Sequence, residues 1–318
     1  MKVFYRKINH GIEVLRCFQE DSEIWIPAEI DGLPVVRIGD YAFSGNYEKE
    51  GSFEVWEDSL YQGRDLPAYC GERVEAVHFP EKAEAIGRYA FYGCRNLKAL
   101  FFRNRLLQLG AGIFTGCRGR MEIEITFEEN REPTSCLREI CGEIRYELDV
   151  TCKQENGEIL SYLIFPEHYE EAVENTPARI LFTQHHGSGN HYRQCFFQRK
   201  IKYEEYDRQF PLAEAQESME VLAGIVYGRL RYPTGLTEQK REMYVRFGRN
   251  HSLELALVFC DWDTLDGLRL MEKEKMFTEE AFDGAMKKAS DNRKEEVLSY
   301  LMEARRKLFP PKRKIFEL

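Results

Sequence analysis

One phrase is written three times in the first 120 residues. Repetition at a fixed period limits the folds open to a chain more tightly than any other feature. Ile38-Gly39-Asp40-Tyr41-Ala42-Phe43-Ser44-Gly45 returns as Ile86-Gly87-Arg88-Tyr89-Ala90-Phe91-Tyr92-Gly93-Cys94. It comes back, worn, as Leu109-Gly110-Ala111-Gly112-Ile113-Phe114-Thr115-Gly116-Cys117. Gly87 and Gly110 stand 23 residues apart, and Gly39 and Gly87 stand 48 apart, close to two such steps. A unit this short cannot bury a core alone, so successive units must stack as a solenoid. Such a stack presents a long surface, which favours binding as the class of function.

Aligned on those glycines, a strand precedes each repeat: Ile24-Trp25-Ile26-Pro27, Val77-His78-Phe79-Pro80, Leu100-Phe101-Phe102 and Ile123-Glu124-Ile125. Alternation with period two puts Ile24, Ile26, Val77, Phe79, Leu100, Phe102, Ile123 and Ile125 on the core face. Trp25, His78, Phe101 and Glu124 then face away and are the candidate binding residues, since aromatic side chains dominate interface hot spots. The Ala-Phe pairs form an opposing wall, and Gly39, Gly87 and Gly110 mark turns too tight for a side chain. Cys94 and Cys117 share one repeat position and read as small apolar packing. Between Ser44 and Gly71, Phe53-Glu54-Val55-Trp56 and Ala68-Tyr69-Cys70-Gly71 suggest a degenerate repeat with a polar insertion around 46–52. The rival reading is a loop with no strand.

The run Ile26-Pro27-Ala28-Glu29-Ile30-Asp31-Gly32-Leu33-Pro34-Val35, with Ile38-Gly39-x-x-Ala42-Phe43 after it, resembles the opening repeat of BspA-like leucine-rich-repeat proteins. Gly93-Cys94 followed by Asn96-Leu97-Lys98-Ala99-Leu100 fits the same pattern. The resemblance covers about the first 125 residues. It implies a curved solenoid of short strands used for protein binding. Members are often long, secreted bacterial adhesins, and this chain departs in having few repeats and no visible export signal.

Charge narrows the partners. A net charge of −9 argues against nucleic acid, which is held by clustered Lys and Arg. The basic run Lys312-Arg313-Lys314 reads as a solvated tail. No stretch approaches the roughly 20 apolar residues that a membrane span requires. Nine cysteines without C-x-x-C spacing suit reduced thiols in a cytoplasm. The first residues, Met1 to His10, have no apolar segment behind their charges. A chain trimmed of its signal peptide would start the same way, which leaves a secreted or surface location open.

Residues 142–150 and 157–166 read as two strands around a polar turn, and 178–183 with 192–197 as another pair. Between the latter lies Gln184-His185-His186-Gly187-Ser188-Gly189-Asn190-His191. His185, His186 and His191, with Cys195 nearby, are the candidate metal ligands, or the Gly-Ser-Gly turn an anion site. Adjacent histidines on a strand point to opposite faces, so a polar hairpin loop is the competing explanation. No P-loop, nucleophile elbow or dinucleotide fingerprint is present, and no cofactor is expected.

From Pro211 the period becomes helical, with Leu212, Ala215, Met219, Leu222 and Val226 on one face. Further helices are expected at 237–249, 252–260, 264–272, 278–289 and 293–308. Ser252, Asp263, Thr278 and Asn292 are the candidate caps, and Asn292 with Glu295 forms a candidate capping box. The last four helices form two pairs with an echo about 30 residues apart, which weakly resembles ankyrin-type repeats; a plain bundle is the alternative. Asp261, Asp263 and Asp266 do not match the spacing of an EF-hand loop.

The expectation is an α+β multidomain protein: a short leucine-rich-repeat solenoid over 1–129, a small β-rich connector over 130–208, and a helical repeat or bundle over 209–318. Its expected function is a non-enzymatic protein-protein interaction module or scaffold of unknown partner. The alternatives are a metal- or small-ligand-binding protein centred on the histidine loop, or a bacterial surface adhesin.

Overall fold

A computed structural model describes residues 1–46, 51–175, 180–262 and 264–309, the side chains of 173–175 and 180–185 excepted. The chain divides into two compact units, Met1–Leu212 and Ala213–Leu318. In the first unit the strands β1 (Lys2–Ile8), β2 (Gly11–Phe18), β3 (Glu23–Trp25), β4 (Glu29–Ile30), β5 (Leu33–Ile38) and β6 (Glu54–Glu57) come first. They are followed by β7 (Ala76–His78), β8 (Ala85–Ile86), β9 (Ala99–Arg103), β10 (Gln108–Leu109), β11 (Met121–Phe127), the helix α1 (Leu137–Glu143), β12 (Leu148–Gln154) and β13 (Ile159–Phe165).

Each turn of the chain lays one strand on each of two sheets. β2, β5, β8 and β10 run parallel on the first, and β3, β7, β9, β11 and β12 on the second. The result is a β-solenoid of about six turns over 12–154. On the second sheet the register aligns Ile24, Val77, Leu100, Ile123 and Val150 in one column, each at most 1% exposed. This is the inner face the alternation predicts, and burying each such side chain contributes roughly 1.5–3 kcal/mol. The Ala-Phe wall is likewise buried: Phe43 stacks on Phe91 at 4.9 Å and Phe91 on Phe114 at 5.8 Å.

Two glycines permit the stacking. A Cβ at Gly87 would stand 2.4 Å from the Asp40 amide nitrogen, and one at Gly110 would stand 2.4 Å from that of Arg88. Here backbone lies on backbone, and Gly87 and Gly110 donate to the carbonyls of Ile38 and Ile86, both at 2.8 Å.

The 48-residue spacing is one turn, not two. β5 pairs directly with β8 and β3 with β7, so no repeat lies between them. The expected strand at 53–56 exists as β6, but it pairs antiparallel with β1 outside the stack. The extra 48 − 23 = 25 residues are therefore an insertion, with 47–50 outside the described residues. Its return segment covers the first turn: Tyr69 is fully buried edge-on to Phe43, and Gly71 donates to the Phe43 carbonyl.

The solenoid is closed by charged side chains of the right sign. Between turns, the amides of Tyr41 and Phe43 donate to the carbonyls of Arg88 and Ala90, and those of Tyr89 and Phe91 to Ala111 and Ile113. At the last such turn the amides of Gly112 and Phe114 meet the carboxylate of Glu143 instead, at 3.1 and 3.4 Å. At the first turn the buried Arg16 guanidinium donates to the carbonyls of Ala42 (3.3 Å) and Ser44. Backbone groups that a further turn would satisfy thus find a side chain.

The strands expected over 142–150 and 157–166 form as β12 and β13, the first starting only at Leu148 because α1 runs to Glu143, and β12 joins β11 in parallel register, Met121 opposite Leu148 through Phe127 opposite Gln154. The first part of the expected connector, through β12, therefore continues the solenoid, because the inward column of β12 extends its apolar core. Beyond it, β14 (Tyr169–Asn175) pairs antiparallel with β15 (Ile180–His186), and 176–179 lie outside the described residues. The expected pairing of 178–183 with 192–197 does not form. Gly189–Tyr192 is instead a short helix, α2, and β16 (Phe196–Phe197) pairs with β17 (Lys200–Ile201). Tyr192 is driven inward, where its ring meets Tyr206 of α3 (Tyr203–Arg208) edge-on at 4.6 Å.

The helices α4 (Phe210–Gln216), α5 (Met219–Arg231), α6 (Glu238–Asn250), α7 (Ser252–Asp261), α8 (Asp266–Lys273), α9 (Glu279–Asp291) and α10 (Glu295–Leu308) complete the chain. The long helix expected from Pro211 is broken at Ser218, whose side chain caps α5 through the Val221 amide. Thr278 caps α9 as expected. Ser252 does not cap α7; its hydroxyl accepts the Thr278 amide at 3.0 Å and ties the starts of α7 and α9 together. Asn292 closes α9, so the expected capping box with Glu295 does not form. Asp263 lies outside the described residues. Small residues set the spacing of the helices: a Cβ at Gly267 would stand 2.4 Å from the Phe259 ring, and one at Gly284 would stand 2.4 Å from Leu253.

Candidate functional site

The second sheet's outer column is built by the register that buries its inner one. β3, β7, β9 and β11 place Trp25 beside His78, His78 beside Phe101, and Phe101 beside Glu124. The rings stack face to face: Trp25 on His78 at 4.1 Å and 9°, His78 on Phe101 at 4.0 Å and 2°. Glu23 fixes the middle ring by pairing with His78 Nε2 at 2.6 Å. At the far end Glu124 pairs with Lys153 of β12. A strand's period of two turns these four side chains to one face, and the 23-residue step aligns His78, Phe101 and Glu124; Trp25 joins them across the insertion, 53 residues before His78.

The ladder ends at an edge. β3 is the terminal strand of its sheet, and Trp25 is 59% exposed. Beside it opens a groove of about 580 Å³ whose walls include Glu20, Asp21, Glu23 and Asp58, with Tyr61 and Arg64. An exposed indole above a predominantly acidic groove can take an apolar or cationic side chain on its face. The acidic wall is supplied in part by the insertion, and for that reason the repeat pattern gave no sign of it.

The histidines part company. His186 sits on β15 opposite Tyr169, stacked at 4.5 Å, with Nε2 at 3.3 Å from the Glu171 carboxylate. His191 is exposed on α2, and Cys195 is buried. The side chain of His185 lies outside the described residues. Among the described residues no three His, Cys, Asp or Glu side chains are grouped to hold a metal ion.

All nine cysteines are unpaired. Burial pushes the thiols of Cys17, Cys117, Cys141 and Cys195 up to about 12, and those of Cys152 and Cys260 up to about 11. Protonated thiols are poor nucleophiles and poor metal ligands. Cys94 and Cys117 instead bind adjacent turns, each thiol donating to a phenylalanine carbonyl, Phe43 at 3.2 Å and Phe91 at 3.3 Å.

Comparison with known proteins bears on the repeats. Residues 66–140 match the family model of the BspA type leucine rich repeat region (6 copies). This stretch is similar to a BspA-type leucine-rich-repeat region. The match covers β7 to β11 and most of α1, whereas the turns before it, which the sequence resemblance also takes in, continue the same stack. No ankyrin family model matches the paired helices. No curated protein and no solved structure matches the chain. Among the described residues no helix is long and apolar enough to cross a membrane.

Proposed function

We propose that the protein is a non-enzymatic interaction module that holds a protein partner on the outer face of its second sheet. Leucine-rich repeats are typical of protein-interaction modules. The observation that carries the reading is the ladder Trp25–His78–Phe101, three stacked rings ending in a largely exposed indole at a sheet edge. Rigid, preorganised aromatics lose little entropy on contact, which is why such groups become hot spots. The partner presents an apolar or aromatic side chain to the indole and basic groups to the acidic groove. Nine unpaired cysteines support a reducing compartment, and we place the protein in the cytoplasm.

The test is paired affinity capture from a lysate of the native cells, with wild type beside Trp25→Ala/Phe101→Ala. The reading expects a discrete protein retained by wild type and lost with the variant, whose melting temperature stays within a few degrees. Equal capture by both proteins would place the binding surface elsewhere.

A further inference from the structure

A second groove, of about 990 Å³, opens where the first sheet meets the repeat phrase, and its lining was not singled out by the repeat pattern. Two tyrosines form its platform. Tyr41 and Tyr89 occupy the same repeat position, and their rings stack at 5.3 Å and 23°. Both hold left-handed backbone, with φ of 56° and 53°. The third repeat places Gly112 at that position, with φ of 64°, the residue that suits this conformation. A Cβ at Gly112 would stand 2.4 Å from the Tyr89 ring, so the glycine leaves the space over which Tyr89 lies. Tyrosine is thus kept twice where the backbone favours glycine, and neither ring is fully buried. Strain of this kind collects at binding sites.

Beside the platform runs a chain of alternating charge. Arg6 pairs with Glu13, and Glu13 accepts from Arg37 Nε at 2.8 Å. Asp40 lies 3.8 Å from Arg37 and 2.9 Å from Arg88. Tyr92, 37% exposed, closes the rim edge-on to Tyr89. Such a lining discriminates by chemistry. A phosphate would meet two carboxylates, a basic peptide three guanidinium groups, and an apolar ligand a charged wall. A vicinal diol suits it, because each hydroxyl can donate to a carboxylate while accepting from the neighbouring guanidinium. The C–H face of a sugar ring suits the tyrosine platform.

We infer that this groove is an oligosaccharide-binding site, with Tyr41 and Tyr89 as the stacking platform and Arg37, Asp40 and Arg88 reading the hydroxyls, while the buried Glu13 holds Arg6 and Arg37 in place. It is separate from the protein-binding ladder and does not depend on it. The test is binding of the full chain to an array of neutral hexose oligomers and of oligosaccharides carrying uronic or sialic acid, beside Tyr41→Gly/Tyr89→Gly. Wild type retains the neutral oligomers, and soluble neutral oligosaccharide competes them off; retention of the acidic class alone overturns the inference. The glycine variant binds about tenfold more weakly or less, while its melting temperature is held or raised. Tyr92→Ser, on the rim, weakens binding in the same direction and guards against a folding defect in the first variant. Absence of saccharide binding by wild type, or equal binding by all three proteins, overturns the inference.

Discussion

At Gly87 and Gly110 the repeat phrase and the fold meet in a single missing atom. Each glycine lies on the backbone of the turn before it, where a Cβ would come to 2.4 Å from a main-chain nitrogen. Neither has positive φ, so the constraint is space and not conformation. Gly87→Ala and Gly110→Ala should each destabilise the first unit by about 2–3 kcal/mol in chemical denaturation, the cost of forcing packed backbones apart. Gly142→Ala, inside α1 with open space around it, should hold stability or raise it by up to about 1 kcal/mol. The buried thiols carry a second consequence. Their ordinary value is 9.0, and Cys17 and Cys141 are held near 12 in the folded chain. A raised value means that the folded state keeps the proton longer than the unfolded state does. Stability is therefore complete below about pH 9 and falls as pH rises from 9 toward 12. Urea midpoints should hold from pH 8 to about pH 9 and decline from there to pH 11, and a disulfide-exchange reagent at pH 8 should find most of the nine thiols only in denaturant.

The strands and helices show which elements a sequence makes legible. Val77, Leu100 and Ile123 are legible as one buried column because alternation and a 23-residue period act together, and Ile24 joins them by alternation alone, 53 residues before Val77. The two-residue strands β8 and β10 are too short to alternate, and their partner sheet escaped notice for that reason. The segment after Ser44 reads in sequence as a degenerate repeat or a loop because 48 approximates twice 23; the direct pairing of Ile38 with Ile86 shows the single turn. In sequence His186 reads as part of a polar loop and Tyr192 as the start of a strand, yet the first closes a strand and the second fills a core. The tyrosine groove was hidden because Tyr41 and Tyr89 pass for ordinary repeat residues until their left-handed backbone is seen. The capping of the stack by Glu143 is also absent from any local pattern. Removing it with Glu143→Ala strips the acceptors from two amides and should cost about 1 kcal/mol, modest because solvent can replace them. Hydrogen exchange should quicken at Gly112 and Phe114 first, with Glu143→Gln intermediate.

On the scale of the whole molecule, a β-solenoid whose residues 66–140 match the BspA type repeat model carries an outer aromatic column that its own register assembles, and helices follow in a second unit. The acidic groove beside Trp25 makes the proposed partner contact sensitive to salt: retention should weaken between about 50 and 500 mM NaCl as exposed charges are screened. The most direct measurement is photo-crosslinking in native cell lysate with a benzophenone side chain at position 25, beside one at position 302. Met302 is 58% exposed on α10, as open as Trp25 but outside the sheet. The account predicts a discrete protein adduct from position 25, suppressed by Phe101→Ala, and none of that size from position 302. An adduct from position 302 alone, or one from position 25 that Phe101→Ala leaves unchanged, would contradict it.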